Sequence, residues 1–305
     1  MRKISIIFVI CGVIMIALGI SLGASTCMYW DGNGLHLTES TPRVTQALGA
    51  FKNIEVSTRD TEIEIIYGDE FSIEYYQGAR NPVVRLEGDR LSITQESTGF
   101  YINFGFTFYR TDTIKITLPH GAGLESCNIG VDNGQVKIVG QSAEKLTVKV
   151  DNGRVVFSQI DSTYADISCS NGSLEMHETN AGFLGAALEN GNISGSNITA
   201  SNFKLSLDNG RVGIQSVKLE SGTIEVENGS ITVDGDVKNA DIRVDNGLVR
   251  LTLAQRSTYY RLFSQNGMVT FDKVRRGGFW ESGNPSSSNA IRVECNNGSV
   301  TVNTQ

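Results

Sequence analysis

The sequence has little proline, little histidine, no closely spaced cysteines and no cluster of basic residues. Only 4 of its 305 residues are Pro, while 33 are Gly. Collagen needs Gly at every third position together with abundant Pro, so that class is excluded. The three histidines, His36, His120 and His177, are far apart, and no Cys-x-x-Cys pair accompanies them. That leaves no recognisable zinc signature, and each His reads as a surface or turn residue. Five cysteines (Cys11, Cys27, Cys127, Cys169 and Cys295) are an odd number without close pairs, a poor disulfide framework. The 26 basic residues are scattered and do not interleave with aromatics, and the net charge is −7, which disfavours a nucleic-acid partner. No stretch beyond residue 24 sustains helical periodicity. With 40% hydrophobic and 19% charged residues, the chain is not a charge-rich disordered one.

One long uncharged run is present. After Met1-Arg2-Lys3, residues 4–24 carry no charge. A helix of about 20 apolar residues crosses the ~30 Å hydrocarbon core of a bilayer. The run is longer than the ~7–15 residues of a signal-peptide core, and no clean small-x-small cleavage site follows it. A cleaved signal and a lipoprotein site at Cys27 are the other readings. All three place the rest of the chain outside the cytoplasm, and Arg2 and Lys3 set the amino end inside. Residues 1–24 are therefore expected to be a transmembrane anchor or uncleaved signal. Residues 25–50 follow as a linker, with turn signals at Asp31-Gly32-Asn33-Gly34 and Ser40-Thr41-Pro42.

The 23 asparagines are not scattered. Asn-Gly pairs begin at Asn133, Asn152, Asn171, Asn190, Asn209, Asn228, Asn246, Asn266 and Asn297, and five successive steps are 19 residues long. Apolar residues recur six, four and two places before the Asn and three and five after it in most repeats, as with Leu146, Val148, Val150, Val155 and Phe157 around Asn152. This period-two pattern is that of strands with one buried face. Asn-Gly also marks tight hairpins, so a hairpin array fits the phase. Such an array needs a second reversal in each repeat, and residues 158–164, 194–201 and 215–221 share no turn chemistry. A propeller blade needs ~40–45 residues. The pattern predicts an all-β chain, a single-stranded β-solenoid with ~19-residue coils behind one N-terminal transmembrane helix. In it the Asn amides, each donor and acceptor, stack in one column. Asn is expected to tolerate the left-handed region there, with Gly beside it. Residues 120–305 are the regular solenoid, stacked in chain order. Residues 51–119, which lack Asn-Gly, are irregular coils or a cap over an otherwise open end.

The motifs Phe51-Lys52-Asn53-Ile54-Glu55-Val56, Asp60-Thr61-Glu62-Ile63-Glu64-Ile65, Tyr67-Gly68-Asp69, Leu91-Ser92-Ile93 and Ile114-Lys115-Ile116-Thr117-Leu118-Pro119 precede the repeats. The repeats then run to Asn297-Gly298-Ser299-Val300-Thr301-Val302. In this order they resemble the bacterial adhesin-candidate domain of unknown function, the LiaG-like type of membrane-anchored β-solenoid, over about residues 50–305. The resemblance implies an extracytoplasmic β-helix with no catalytic residues to carry over.

Four features are candidate sites. Phe100, Tyr101, Phe104, Phe106, Phe108 and Tyr109 crowd ten residues, as a partner-binding patch or as the buried lining of a cap. Asp132, Asp151, Glu189, Asp208, Glu227 and Asp245 each precede a repeat Asn. They read as solvated corner residues, with Arg154 and Arg211 offering compensation; a calcium row is the weaker alternative. Residues 275–289 carry an insertion with Trp280 and two arginines, a bulged coil or a binding loop. Cys169 and Cys295 share one inward column and are expected to be buried free thiols, with Cys127 unpaired with either. Together these readings describe a non-enzymatic envelope scaffold or interaction module, adhesin-like or envelope-sensing, without cofactor or metal. Its partners would be the membrane and envelope proteins or glycans. A glycan-binding or glycan-cleaving β-helix is the alternative, since cleavage needs two carboxylates ~5–9.5 Å apart.

Overall fold

The computed structural model describes residues 12–15, 27–30, 35–38, 43–76, 81–95, 100–103, 112–254 and 259–305. In chain order its strands are β1 (Cys27–Trp30), β2 (Leu35–Thr38), β3 (Arg43–Ala47), β4 (Asn53–Gly68), β5 (Ser72–Tyr76), β6 (Val83–Glu87), β7 (Arg90–Thr94) and β8 (Phe100–Asn103). They continue with β9 (Asp112–Pro119), β10 (Gly123–Val139), β11 (Ser142–Leu253), β12 (Tyr259–Phe271), β13 (Val274–Gly277), β14 (Phe279–Gly283) and β15 (Ala290–Thr304). Residues 12–15 are helical, and among the described residues no helix is long and apolar enough to cross a membrane. The remainder of residues 1–26 lies outside the described set.

The 112 residues of β11 are several turns of one solenoid. β10 lies parallel to its first turn with Asn133 beside Asn152 and Val136 beside Val155, a shift of one 19-residue coil. Within a coil, burial alternates and its phase slips three times. In the coil of Asn152, Leu146, Val148 and Val150 are buried, then Val155 and Phe157, then Ile160 and Ser162, and the next coil opens at Ala165. Three phase slips mean three corners, so each coil is a three-sided loop around an aliphatic core. Each fully buried Val, Leu or Ile contributes about 1.5–3 kcal/mol against exposure.

The first corner is the Asn-Gly pair. Eight of its nine glycines have φ between +142° and +154°, a region open to glycine alone. A Cβ on any of the nine would overlap the carbonyl oxygen of the residue stacked beneath it, Thr61 under Gly134 and another corner glycine elsewhere. The strain falls on Gly alone: none of the nine Asn has a positive φ, so the left-handed role expected of Asn is not used. The second corner was invisible in the sequence because no residue type marks it. Gly140, Gln159, Glu178, Asn197 and Ser216, one coil apart, all have φ between +51° and +68°. A non-glycine there costs roughly 1 kcal/mol, which the coil packing overrides.

The regular region is shorter than residues 120–305, and the ends do not follow chain order. At the carboxyl end β15 inserts between the last turn of β11, with Asn246 beside Asn297, and β12, with Asn266 beside Asn297. The insertion near 275–289 forms β13 and β14, both antiparallel to β12, and closes the end. Cys295 is therefore five coils from Cys169, where stacking in chain order would put six between them. At the amino end β4 lies between β10 on one side and β7 and β9 on the other. β5 and β6 then run antiparallel to β9 and β7. Residues 51–119 thus contain one full coil, β4, under a cap. Residues 25–50, read as a linker, contain three strands; β3 pairs with β5 at the cap edge. Parallel coils would present bare edges, and antiparallel hairpins cover them.

Two substitutions check this packing by urea unfolding. Gly191→Ala, in mid-stack, is expected to cost at least about 3 kcal/mol through backbone overlap and φ strain; a cost below about 1 kcal/mol would contradict the corner geometry. Ser162 is buried with a hydroxyl lacking any partner among the described residues, in a column where Ala143, Ala181 and Ala200 are its neighbours. Ser162→Ala is expected to stabilise by about 1 kcal/mol, since an unsatisfied buried hydroxyl costs about that much.

Candidate functional site

The nine predicted asparagines form one continuous ladder. Each Nδ2 donates to the Oδ1 of the Asn one coil nearer the amino end, through Asn152, Asn171, Asn190, Asn209, Asn228 and Asn246, at 2.9–3.1 Å. Asn297 then donates to Asn246 and Asn266 to Asn297, at 2.9 and 2.8 Å, following space and not sequence. At the other end Asn133 donates to the Asp60 carboxylate at 2.8 Å. Asp60 and Thr61 thus replace Asn-Gly in the first coil. The signal was readable: Ile54, Val56, Thr58, Ile63 and Ile65 occupy the repeat's apolar offsets around Asp60. The ladder is exposed and polar, saturated by its own bonds, which suits register-keeping better than ligand capture. Each bond contributes about 0.5–1.5 kcal/mol.

Acidic residues do stand at this corner in six of the nine Asn-Gly coils; Ser170, Gln265 and Asn296 take the place in the others. Asp132 meets Arg59 at 3.4 Å, Asp151 meets Lys149 at 3.8 Å, and Asp245 accepts from Asn296 at 2.9 Å. Arg154 does not compensate Asp151; it lies past the corner, on the next side, and pairs with Glu175. Arg211 has no ion-pair partner among the described residues. There, no group of three or more His, Cys, Asp or Glu could hold a metal ion.

Of the aromatic segment, Phe100 and Tyr101 lie in β8, paired with Trp30 and Tyr29 of β1. Phe104, Phe106, Phe108 and Tyr109 lie outside the described residues. Trp280 does not project into a loop. It stacks on Phe271 at 4.0 Å between ring centres, beside Tyr260, and packs against the last coil's core.

Beside that cap is a groove of about 260 Å³ that no linear motif announces. Its floor is the outward face of three adjacent strands. In register, Asp241, Arg292 and Arg261 form one row, and Arg243, Glu294 and Phe263 the next. β14 adds Glu281 opposite Arg261 and Phe279 opposite Phe263. Arg292 approaches Asp241 at 3.7 Å and lies 5.5 Å from the Tyr259 ring centre; Arg243 bonds Glu225 at 3.2 Å. Arg261 has no ion-pair partner among the described residues, and Phe279 is 49% exposed. Glu281 accepts from the Tyr259 hydroxyl at 2.7 Å, and this hydrogen bond, then burial, raises the phenol above its ordinary range. Three arginines from residues 243–292 meet here only because β15 inserts between its neighbours.

The thiols of Cys127, Cys169 and Cys295 offer no nucleophile. Cys127, Cys169 and Cys295 are free and buried. Burial pushes Cys127 up to about 12 and raises Cys169 and Cys295. Protonated, enclosed thiols are inert.

These features define a capped, three-sided parallel β-solenoid. The chain belongs to the Toastrack family (DUF4097), whose model matches residues 51–303. None of the curated proteins matches it. Among solved structures, it is similar to a candidate adhesin from Bacteroides fragilis NCTC 9343, at 12% identity and a TM-score of 0.43, covering 88% of this chain and 98% of that one. It is also similar to a candidate cell adhesion protein from Clostridium sporogenes ATCC 15579, at 10% identity and a TM-score of 0.22, covering 87% and 100%.

A thiol reagent at pH 8 is expected to leave Cys127, Cys169 and Cys295 unmodified in the folded chain and to label all three in denaturant. Labelling of Cys169 or Cys295 before unfolding would contradict their inward placement.

Proposed function

We propose that the protein is a non-enzymatic interaction module of the cell envelope, adhesin-like or envelope-sensing. On this reading residues 4–24 anchor it, the solenoid stands outside the cytoplasm, and partners engage the groove at its carboxyl end. The groove carries the proposal. It sets Arg261, a guanidinium without an ion pair among the described residues, beside the exposed ring of Phe279 on a frame held by the terminal coils. Interfaces concentrate binding energy in Arg and aromatic side chains of this kind. Glycan binding is a second reading of the same groove, because its alternating carboxylates and guanidiniums can bond sugar hydroxyls while Phe279 covers a ring face.

The test compares the full chain with Arg261→Glu/Phe279→Ser in two assays, photo-cross-linking in intact cells and sedimentation with purified envelope polysaccharide. Loss of two hot spots of about 2 kcal/mol each predicts at least tenfold weaker capture. A loss confined to cross-linked proteins supports a protein partner; a loss confined to the polysaccharide supports the glycan reading. Capture unchanged in both would remove the groove as the site.

A further inference from the structure

β1, β2 and β8 form a three-stranded antiparallel sheet separate from the solenoid. Among the described residues, none of these strands packs against any other element. Their register sorts the residues sharply. Met28 stands opposite Leu37 and Ile102, and Trp30 opposite Leu35 and Phe100. Directly opposed residues share a face, and successive residues alternate between faces. One face therefore holds the positions of Met28, Trp30, Leu35, Leu37, Phe100 and Ile102, without a polar residue. The other holds those of Cys27, Tyr29, His36, Thr38, Tyr101 and Asn103.

An antiparallel sheet patterned this way normally lays its apolar face on a core, and no described element of the chain packs against this one. What lies close to it in sequence is the uncharged run. Only Ser25 and Thr26 separate Ala24 from Cys27. At no more than ~3.6 Å per residue, that connection spans at most about 11 Å. The headgroup layer on each side of the hydrocarbon is about 5–8 Å thick.

We propose that this sheet rests on the outer surface of the bilayer with its apolar face towards the lipid. It would be an interfacial foot beneath the solenoid. The inference rests on the anchor reading of residues 4–24 and adds a second, separate lipid contact. The sheet lies on the membrane and does not enter it, because open sheet edges leave backbone groups that hydrocarbon cannot satisfy. Trp30, on the apolar face, is a residue of the type that concentrates at the membrane–water boundary. β8 belongs to the cap insertion between β7 and β9, so the foot ties the membrane-proximal strand to the amino-terminal cap.

The chain contains two tryptophans, Trp30 and Trp280. The experiment uses the full chain and its Trp30→Phe variant, each reconstituted in phosphatidylcholine vesicles, and the difference in emission isolates Trp30. Trp30 is expected to emit to the blue, to be quenched by lipids brominated high on the acyl chain, and to be several-fold less accessible to aqueous acrylamide than in the urea-unfolded chain. If the chain floats with the vesicles and Trp30 is as open to acrylamide as in the unfolded chain, the proposal is overturned. Shielding from both acrylamide and bromolipid also overturns it, since a second copy or the solenoid then covers the face. A chain that fails to float removes the anchor reading, and the foot with it.

Discussion

The constraint on which the fold depends is backbone on backbone: a Cβ added to a corner glycine would overlap the carbonyl of the residue one coil below. No side chain fits there, and the φ near +150° admits none. This fixes where each coil turns. With the turn fixed, a 19-residue repeat stacks strand on strand, and the inward Val, Ile and Leu meet in columns. Only then do the Asn amides fall within hydrogen-bond distance and run as one directional ladder. The outer columns are free of these demands, which is why they vary between acid, amide, guanidinium and ring.

The two ends obey the same register by a different route. In the middle every coil contacts its chain neighbours, so order can spread locally, as in other repeat proteins. At the ends the contacts are remote: β4 meets β10 across 73 residues, and β15 meets β11 across 51. Closing such loops costs entropy before any contact repays it, so the ends are expected to form last. In return both terminal segments are locked between neighbours and do not hang from open edges. The groove is a by-product of this interleaving.

The middle of the fold was legible because one steric demand recurs in the same two letters. Asn152-Gly153 and its repeats announce the corner, and the period-two apolar offsets announce the faces. The second corner was illegible because Gln159, Glu178, Asn197 and Ser216 take the same strained φ without a shared chemistry. Asp60 was missed because an aspartate accepts the ladder's first amide as well as an asparagine would. The position of β15 was illegible for another reason: a parallel strand reads the same wherever it inserts. The groove inherited that blindness, since Arg243, Arg261 and Arg292 form no cluster until β15 is placed. Of the aromatic segment, the strand pairing of Phe100 and Tyr101 became visible only with β1 beside them.

Function follows from this division between an invariant frame and a variable exterior. The family membership fixes the frame, and the exterior gives the protein its individuality, in the groove at one end and the amphipathic sheet near the other. Both depend on the solenoid being interleaved at its ends. That can be read directly by cysteine cross-linking, with Cys11 and Cys27 replaced by Ser. Leu248 and Met268 each flank Ser299 in adjacent strands. Adjacent parallel strands lie about 4.8 Å apart, within disulfide reach, whereas strands two apart do not. Leu248→Cys/Ser299→Cys should form a disulfide and Leu248→Cys/Met268→Cys should not. The reverse outcome would mean that the coils stack in chain order, and it would contradict the account.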